Sequence, residues 1–194
     1  MTTYVAMGDS FTAGTDPSAP RWPDELARSL GGSYVNLAVV GATSEHVELE
    51  QLERALVLRP DVVTLVCGAN DVLLCTRPDA DAYAARLSRM FARLRRELPD
   101  VMIVTATYPD ITRYLQLRPR SRSRVERGME LFNAACRKVA RRHGVVVLEG
   151  FDHPATRQRS TFADDGFHPS EEGHRAAARA FLRALRKRLR PRPA

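Results

Sequence analysis

Short apolar runs alternate along the chain with longer segments in which apolar residues return every three or four positions. The runs are rich in valine, which is typical of strands covered on both faces of a sheet. They predict five strands, at residues 3–7, 34–39, 62–67, 101–106 and 145–148. The longer segments predict helices at residues 23–30, 45–58, 80–98, 125–142 and 171–189. The pattern is clearest in the third helix, where Tyr83, Leu87 and Leu94 share one face.

Regular alternation of strand and helix predicts an α/β fold class, a three-layer αβα sandwich around a five-stranded, mainly parallel sheet. Right-handed crossovers then place helices on both faces of that sheet. We expect one domain over residues 1–190 and a short basic tail, rich in proline and arginine, at residues 191–194. Because open α/β sheets bind ligands at the carboxyl ends of their strands, the turns after the first three strands are expected at one functional edge.

The positive charge of the chain is unevenly distributed. The 194 residues carry a net charge of +7. Residues 113–127 contain six arginines and one glutamate, residues 181–194 contain six basic residues and no acidic one, and the remainder of the chain is net negative. Since the excess is confined to two segments, we expect no nucleic-acid partner.

Other features of the composition narrow the class of protein further. No apolar stretch approaches the roughly 18 residues of a membrane span, and the N-terminus does not resemble a signal peptide, so we expect a cytoplasmic protein that does not insert into membranes. Three cysteines, Cys67, Cys75 and Cys136, cannot all pair within one chain. No CxxC spacing indicates zinc or redox chemistry, so we expect reduced thiols. The oligomeric state stays open.

A candidate nucleophile follows the first strand in the stretch GDSFTAG, residues 8–14. Glycine, aspartate and serine are common in turns, so the stretch is compatible with a simple turn. Alternatively, Ser10 is a nucleophile held where a strand meets a helix, with its hydroxyl exposed. The stretch DGFH, residues 165–168, offers His168 as a base and Asp165 as the carboxylate that orients it, although it is equally compatible with a helix-capping loop.

Two further residues could stabilise a developing oxyanion. The side-chain amide of Asn70 follows the third strand and could donate to the oxyanion, or could serve only as a turn residue. Gly41 follows the second strand and could contribute its backbone N–H, or could be a strand-end glycine that needs an unusual φ.

Taken together, these stretches resemble the four blocks of the SGNH hydrolases, also called GDSL esterases or lipases. In family order they are GDS at residues 8–10, Gly41, GAND at residues 68–71 and DGFH at residues 165–168. The resemblance implies a flavodoxin-like fold and a serine esterase mechanism without a metal or another cofactor. It implies Ser10 as nucleophile, His168 as base, Asp165 as its orienting partner, and the Ser10 amide, Gly41 and Asn70 as oxyanion donors.

The resemblance makes hydrolysis of a small or short-chain acyl ester the leading functional hypothesis. An acyltransferase or thioesterase would use the same residues, and a non-catalytic basic binding protein is the third alternative. Residues 109–127 follow the fourth strand and could form a substrate loop with Arg113, Tyr114 and Arg118. A solvated basic loop is the simpler interpretation. If the loop binds substrate, its charge favours an anionic acyl donor.

Overall fold

The computed structural model describes residues 2–16, 19–150 and 153–189. Within these ranges five strands form one sheet in the order β2-β1-β3-β4-β5, and every neighbouring pair is parallel. The strands are β1 (Thr3–Gly8), β2 (Ser33–Asn36), β3 (Val62–Val66), β4 (Met102–Ala106) and β5 (Val146–Leu148). The predicted five-stranded parallel sheet and the α/β fold class are confirmed. The tail predicted at residues 191–194 lies outside the described residues.

Eight α-helices are seen in the same ranges. They are α1 (Ser10–Ala13), α2 (Trp22–Leu30), α3 (Ser44–His46), α4 (Leu52–Val57), α5 (Ala69–Leu73), α6 (Ala80–Glu97), α7 (Pro119–Arg142) and α8 (Glu171–Leu189). A π-helical turn, Val47–Gln51, joins α3 to α4. Two short 3₁₀ turns, Pro154–Arg157 and Arg159–Thr161, precede α8. No helix in the described ranges combines the length and the apolar character needed to cross a membrane.

The strand order determines how the helices are divided between the two faces. The chain moves from β1 to β2 in one direction through α2, and then from β2 through β3 and β4 to β5 in the other direction. Because each crossover is right-handed, α2 lies on one face, and α4, α6 and α7 lie on the other. Helix α8 packs against α2, while α6 packs against α7. The arrangement is the predicted three-layer sandwich.

Buried apolar side chains pack on both faces of the sheet. All five residues of β3 are buried, as are Val5, Ala6 and Met7 of β1. On the α2 face, the rings of Trp22 and Phe181 stack with their centroids 4.2 Å apart and join α2 to α8. The predicted apolar face of α6 is likewise buried. Both helical layers therefore share one continuous core with the sheet.

Three segments differ from the prediction by more than a one-residue shift of a boundary. Strand β2 ends at Asn36 rather than at residue 39, and the Asn36 side chain there accepts a hydrogen bond from the Ala38 backbone N–H at 3.0 Å. The helix predicted at residues 45–58 contains a π-helical turn, which ends at the buried Gln51. Helix α7 begins at Pro119, six residues before the predicted start, because proline is well suited to a first helical position. Residues 119–127 are therefore helical and not part of a loop.

Candidate active site

The turn between β1 and α1 places Ser10 at the carboxyl edge of the sheet. Gly8 ends the strand with φ 149°, and a Cβ atom there would lie 2.1 Å from the Val66 carbonyl oxygen, so the position requires glycine. Asp9 is the N-cap of α1, and its carboxylate accepts a hydrogen bond from the Phe11 backbone N–H at 3.0 Å. Ser10 is thus the first residue of a helix that starts directly behind the strand.

Ser10 is in hydrogen-bond contact with the loop that precedes α8. The Ser10 Oγ lies 3.0 Å from Nε2 of His168, and His168 Nδ1 lies 2.5 Å from Oδ2 of Asp165. The other carboxylate oxygen of Asp165 accepts hydrogen bonds from the Phe167 and His168 backbone N–H groups, at 2.8 and 2.9 Å. The structure therefore joins Ser10 to Asp165 and His168, although Ser10 and His168 are 158 positions apart in the sequence.

The carboxyl group of Asp165 is held in its charged form. Partial burial raises its pKa, but the hydrogen bonds from the His168 side chain and from the two backbone N–H groups outweigh burial and lower the pKa overall. An ionised Asp165 accepts the Nδ1–H of His168, which leaves Nε2 as the acceptor for the Ser10 hydroxyl. This arrangement can take a proton from Ser10.

Asn70 and Gly41 follow β3 and β2, at the same edge of the sheet as Ser10. Asn70, the second residue of α5, is buried, and its Nδ2 donates to the Ala42 carbonyl oxygen at 3.0 Å. An amide nitrogen carries two hydrogens, so one remains for another acceptor. Gly41 adopts φ 81°, and among the described residues neither its backbone N–H nor that of Ser10 donates to a protein acceptor. Each of these three donors therefore has a hydrogen available for a bound acceptor.

A set of buried polar contacts holds the loops in place. The Asp71 carboxylate accepts hydrogen bonds from the backbone N–H and the hydroxyl of Ser44, at 2.8 and 2.5 Å. The Tyr108 hydroxyl donates to Asp9 at 2.5 Å. Burial raises the pKa of Asp9 to about 7, and the hydrogen bonds from Tyr108 and Phe11 counteract only part of that increase.

Sequence reasoning did not identify Tyr108 or Gln51 as contributors to this edge. The Gln51 side chain accepts from the Gly8 N–H at 2.8 Å and donates to the Gly8 carbonyl oxygen at 2.9 Å. A polar residue on the inward face of a predicted helix was an available signal for Gln51. Tyr108 follows β4 closely and so lies at the edge where the other candidates were sought.

The predicted substrate loop lies beside the His168 loop. The Tyr114 backbone packs against Gly166, where a Cβ atom would come within 2.6 Å of the Tyr114 carbonyl oxygen, and the Tyr114 hydroxyl donates to the Arg157 carbonyl at 2.8 Å. Arg113 forms a long ion pair with Asp110, at 4.0 Å. Arg118 is exposed at the N-cap of α7. Only Tyr114 of these three therefore packs directly against the Asp165–His168 loop through a contact seen in the structure.

The histidine of α8 has a different environment from His168. His174 is buried, and its Nδ1 accepts a hydrogen bond from the Trp22 backbone N–H at 3.3 Å. Burial lowers its pKa to about 4, so it is neutral near pH 7. Its contacts join α8 to α2, in agreement with a packing role. In the described ranges, His, Cys, Asp and Glu side chains do not form a group of three that could bind a metal ion.

An apolar cavity lies behind the site, between the sheet and α8. It has a volume of about 120 Å³. Phe11 and Pro169, which follow Ser10 and His168 in the chain, contribute to its wall. The Phe11 ring also packs edge-on against Phe167, with centroids 5.0 Å apart. The residues that directly follow Ser10 and His168 in the chain therefore form part of the cavity wall.

The fold is a parallel αβα sandwich, and at its carboxyl edge serine, histidine and aspartate side chains are joined by hydrogen bonds, an arrangement that several classes of hydrolase use. Residues 6–176 match the sequence profile of the GDSL-like Lipase/Acylhydrolase family. The chain belongs to this family and is a carboxylic ester hydrolase, as the four sequence blocks predicted. No curated protein matches the chain.

Solved structures share the fold. A lipase/acylhydrolase from Enterococcus faecalis is 23% identical with a TM-score of 0.79, and the match covers 100% of both chains. LAE5, an alpha/beta hydrolase enzyme from the metagenome of Lake Arreo, is 24% identical with a TM-score of 0.75 over 94% of each chain. Axe2, an acetylxylan esterase from Geobacillus stearothermophilus, is 21% identical with a TM-score of 0.73 over 95% of this chain and 94% of its own. At these identities the likeness concerns the fold.

Proposed function

We propose that the protein hydrolyses a small or short-chain acyl ester through an acyl-enzyme on Ser10. The observation that carries the proposal is the continuous hydrogen-bonded series from Ser10 Oγ to His168 at 3.0 Å and from His168 to Asp165 at 2.5 Å. A serine hydroxyl is a weak nucleophile unless an adjacent base removes its proton, and this series supplies such a base together with the group that orients it.

The first half of the reaction forms the acyl-enzyme. Ser10 Oγ attacks the ester carbonyl carbon while its proton passes to Nε2 of His168, and the carbonyl π electrons move to the oxygen. The backbone N–H groups of Ser10 and Gly41 and the free amide hydrogen of Asn70 stabilise that oxyanion. When the carbonyl re-forms, the bond to the alkoxy oxygen breaks, and His168 donates its proton to the departing alcohol.

The second half releases the acid. Water takes the place of the alcohol, His168 accepts a proton from it, and the resulting oxygen nucleophile attacks the acyl carbon. The bond to Ser10 Oγ then breaks, and His168 returns the proton to the serine. Asp165 keeps its charge throughout, which stabilises the protonated imidazole and maintains the tautomer that presents Nε2 to Ser10.

The size of the acyl group is part of the proposal. Two aromatic rings lie near His168, with the Phe167 centroid at 4.5 Å and the Phe11 centroid at 6.1 Å from the imidazole centroid. The apolar cavity behind Phe11 offers limited space for an alkyl chain. A structurally similar protein, Axe2, is an acetylxylan esterase. Acetyl esters are therefore the first substrates to test.

The experiment compares hydrolysis of p-nitrophenyl acetate, butyrate and octanoate by the wild type and by three variants. Ser10→Ala should reduce kcat to the background rate, because it removes the nucleophile. Asp165→Asn should lower kcat by roughly 10²–10⁴-fold, since an amide no longer holds the required tautomer. Asp164→Asn is the matched control, because Asp164 is the exposed carboxylate next to Asp165.

The outcomes separate the parts of the proposal. Full activity of Ser10→Ala would exclude the acyl-enzyme, and equal losses in the two aspartate variants would exclude a specific role for Asp165. A preference for acetate or butyrate over octanoate is expected. A preference for octanoate would contradict the short-chain assignment while leaving the nucleophile in place.

A further inference from the structure

The side chain of Gln51 pairs with the last residue of β1 much as a backbone peptide group would. Gln51 is buried, its amide oxygen accepts from the Gly8 N–H at 2.8 Å, and its amide nitrogen donates to the Gly8 carbonyl oxygen at 2.9 Å. Strand β2 ends at Asn36, which is paired with Ala6, so the strand does not extend to Gly8. Because a side-chain amide has both a donor and an acceptor, Gln51 satisfies both backbone groups of Gly8 beyond the end of β2.

The Gly8 carbonyl also holds the loop that carries Gly41. This oxygen accepts a second hydrogen bond, from the Val39 N–H at 3.2 Å. The Val39 carbonyl in turn accepts from the Ala42 N–H at 3.1 Å, which closes a four-residue turn with Gly41 in its third position. The φ of Gly41, 81°, is typical of the third residue of a type II turn. The Gly41 N–H is therefore held in place relative to Gly8.

The same series of hydrogen bonds continues to Asn70. The Ala42 carbonyl oxygen, at the end of the turn, accepts from Asn70 Nδ2 at 3.0 Å. At the other end of the series, Ser10 follows Gly8 by two positions. Among the described residues, Gln51 forms no hydrogen bond with any of the three candidate oxyanion donors. It bonds instead to the residue from which the whole series starts.

Packing alone does not explain a polar side chain at this position. Gln51 is the last residue of the π-helical turn Val47–Gln51, and π-helical turns are rare and frequent at functional sites. Its neighbours Val47, Leu52 and Ala55 are buried and apolar. An apolar side chain of similar size would continue that face without the free-energy cost of burying an amide. The two hydrogen bonds to Gly8 are therefore the specific contribution of Gln51.

We propose that Gln51 is a positioning residue for the oxyanion site, which it acts on by holding the backbone of Gly8. The inference rests on the proposed function and adds a residue to it. Oxyanion stabilisation requires donors that are in place before the reaction, and a misplacement of about 1 Å can lower a rate by about 10²-fold. Both halves of the proposed reaction pass through an oxyanion, so Gln51 affects kcat whichever half is slower.

The first test measures hydrolysis of p-nitrophenyl acetate by Gln51→Met, which keeps a long side chain and removes both hydrogen bonds to Gly8. We expect kcat to fall by about 10–100-fold and KM to stay within about twofold, because the donors act on the transition state more than on the bound ester. Val139→Ala is the control. It removes two buried methyl groups from the last turn of α7, which leads to the start of β5 and so to the opposite edge of the sheet. Its kcat should stay close to that of the wild type.

A double-mutant cycle with Asn70→Ala gives a readout that a loss of stability alone would not change. Asn70→Ala removes one oxyanion donor outright. If Gln51 acts through the same site, Gln51→Met should lower kcat by a factor at least about threefold smaller in the Asn70→Ala background than in the wild type. Val139→Ala should change kcat by the same factor in both backgrounds.

Gln51→Glu provides the test if Gln51→Met does not fold. A neutral carboxylic acid has the donor and acceptor of the amide, whereas an ionised carboxylate only accepts and would face the Gly8 carbonyl oxygen. Burial favours the neutral form at low pH, so the kcat of Gln51→Glu divided by that of the wild type should fall by about tenfold or more from about pH 5 to about pH 8. The titratable groups nearby, Asp9, His46, Glu50 and Asp71, are present in both proteins.

Several results would overturn the inference. These are a folded Gln51→Met protein with kcat within about twofold of the wild type, a loss that appears only in KM, or a loss of kcat that is equal in the two backgrounds of the cycle. For Gln51→Glu, the contrary result is a ratio that stays constant with pH. Circular dichroism and thermal unfolding show that each protein is folded under the assay conditions.

Failure of the proposed function gives a different result in the same assay. If Ser10→Ala is inactive and Gln51→Met is fully active, the acyl-enzyme stands and only the role of Gln51 is excluded. If Ser10→Ala hydrolyses p-nitrophenyl acetate as well as the wild type, the acyl-enzyme is excluded, and the role of Gln51 is excluded with it.

Discussion

The buried carboxyl group of Asp9 should make the stability of this fold depend on pH. Asp9 is fully buried, and burial raises its pKa to about 7 despite hydrogen bonds from the Tyr108 hydroxyl and the Phe11 N–H. In an unfolded chain an aspartate has a pKa of about 3.9. Between these values the folded protein retains a proton that the unfolded chain has released, so the free energy of unfolding falls as the pH rises from about 4 to about 7.

The magnitude follows from the interval between the two pKa values. Each pH unit in which only the folded state holds the proton contributes about 1.4 kcal/mol, so the full interval corresponds to about 4 kcal/mol. Asp9→Asn removes this titration, while its amide can still accept from the Phe11 N–H and donate to the Tyr108 oxygen. The free energy of unfolding of the variant minus that of the wild type should therefore be up to about 4 kcal/mol larger above about pH 7 than at about pH 4.

Urea denaturation of both proteins between about pH 4 and pH 8 measures this difference, with fluorescence of the single tryptophan, the buried Trp22, as the signal. The other titrating groups are present in both proteins and largely cancel in the comparison. The nearby carboxylate of Asp71 contributes to the raised pKa of Asp9 and is unchanged in the variant. The reasoning would be refuted if the free energy of unfolding of the variant minus that of the wild type stayed constant across this range, or changed in favour of the wild type as the pH rises.

Two further predictions concern Gly8 and its partner. Gly8→Ala should lower the free energy of unfolding by at least about 3 kcal/mol, because its Cβ would lie 2.1 Å from the Val66 carbonyl oxygen. Gly144→Ala is the control: Gly144 has φ 63° and open space around it, so the loss should be about 1 kcal/mol. Equal losses of the two variants in thermal unfolding would contradict this prediction. Gln51→Ala should lower the free energy of unfolding by about 1–3 kcal/mol, because it leaves the Gly8 N–H without a partner, while the Gly8 carbonyl keeps its hydrogen bond from the Val39 N–H; the exposed Gln116→Ala is its control. A Gln51→Ala protein as stable as that control would show that water replaces the lost contacts.

Much of the candidate site could be predicted because its residues lie in short local patterns. Ser10 lies three positions after the end of a predicted strand, and Asp165 and His168 are three positions apart, so one turn can bring the second pair together. Asn70 could be placed at the same edge because parallel strands end on the same side of a sheet. The resemblance to a family then assigned roles to residues whose local patterns had left alternatives open, and family membership is confirmed.

Other contacts could not be predicted, because they join segments that are far apart in the chain. Tyr108 reaches Asp9 across 99 positions, and Gln51 reaches Gly8 across 43. Hydrophobic periodicity indicates that a helix packs on a sheet, but it does not specify which buried polar atom meets which backbone group. The start of α7 was missed for a related reason, since the six residues from Pro119 add few apolar positions to the helical pattern.

The sequence by itself determined the α/β class, the strands that carry the candidate site and the family of carboxylic ester hydrolases to which the chain belongs. These follow from local periodicity and from motifs of a few residues, where neighbours in sequence are neighbours in space. Only the tertiary structure decided which of the clustered arginines are used internally and which are left to face solvent. That division depends on Arg122 and Arg124 reaching carbonyl oxygens on other loops, and such contacts exist only after the sheet order has placed those loops side by side.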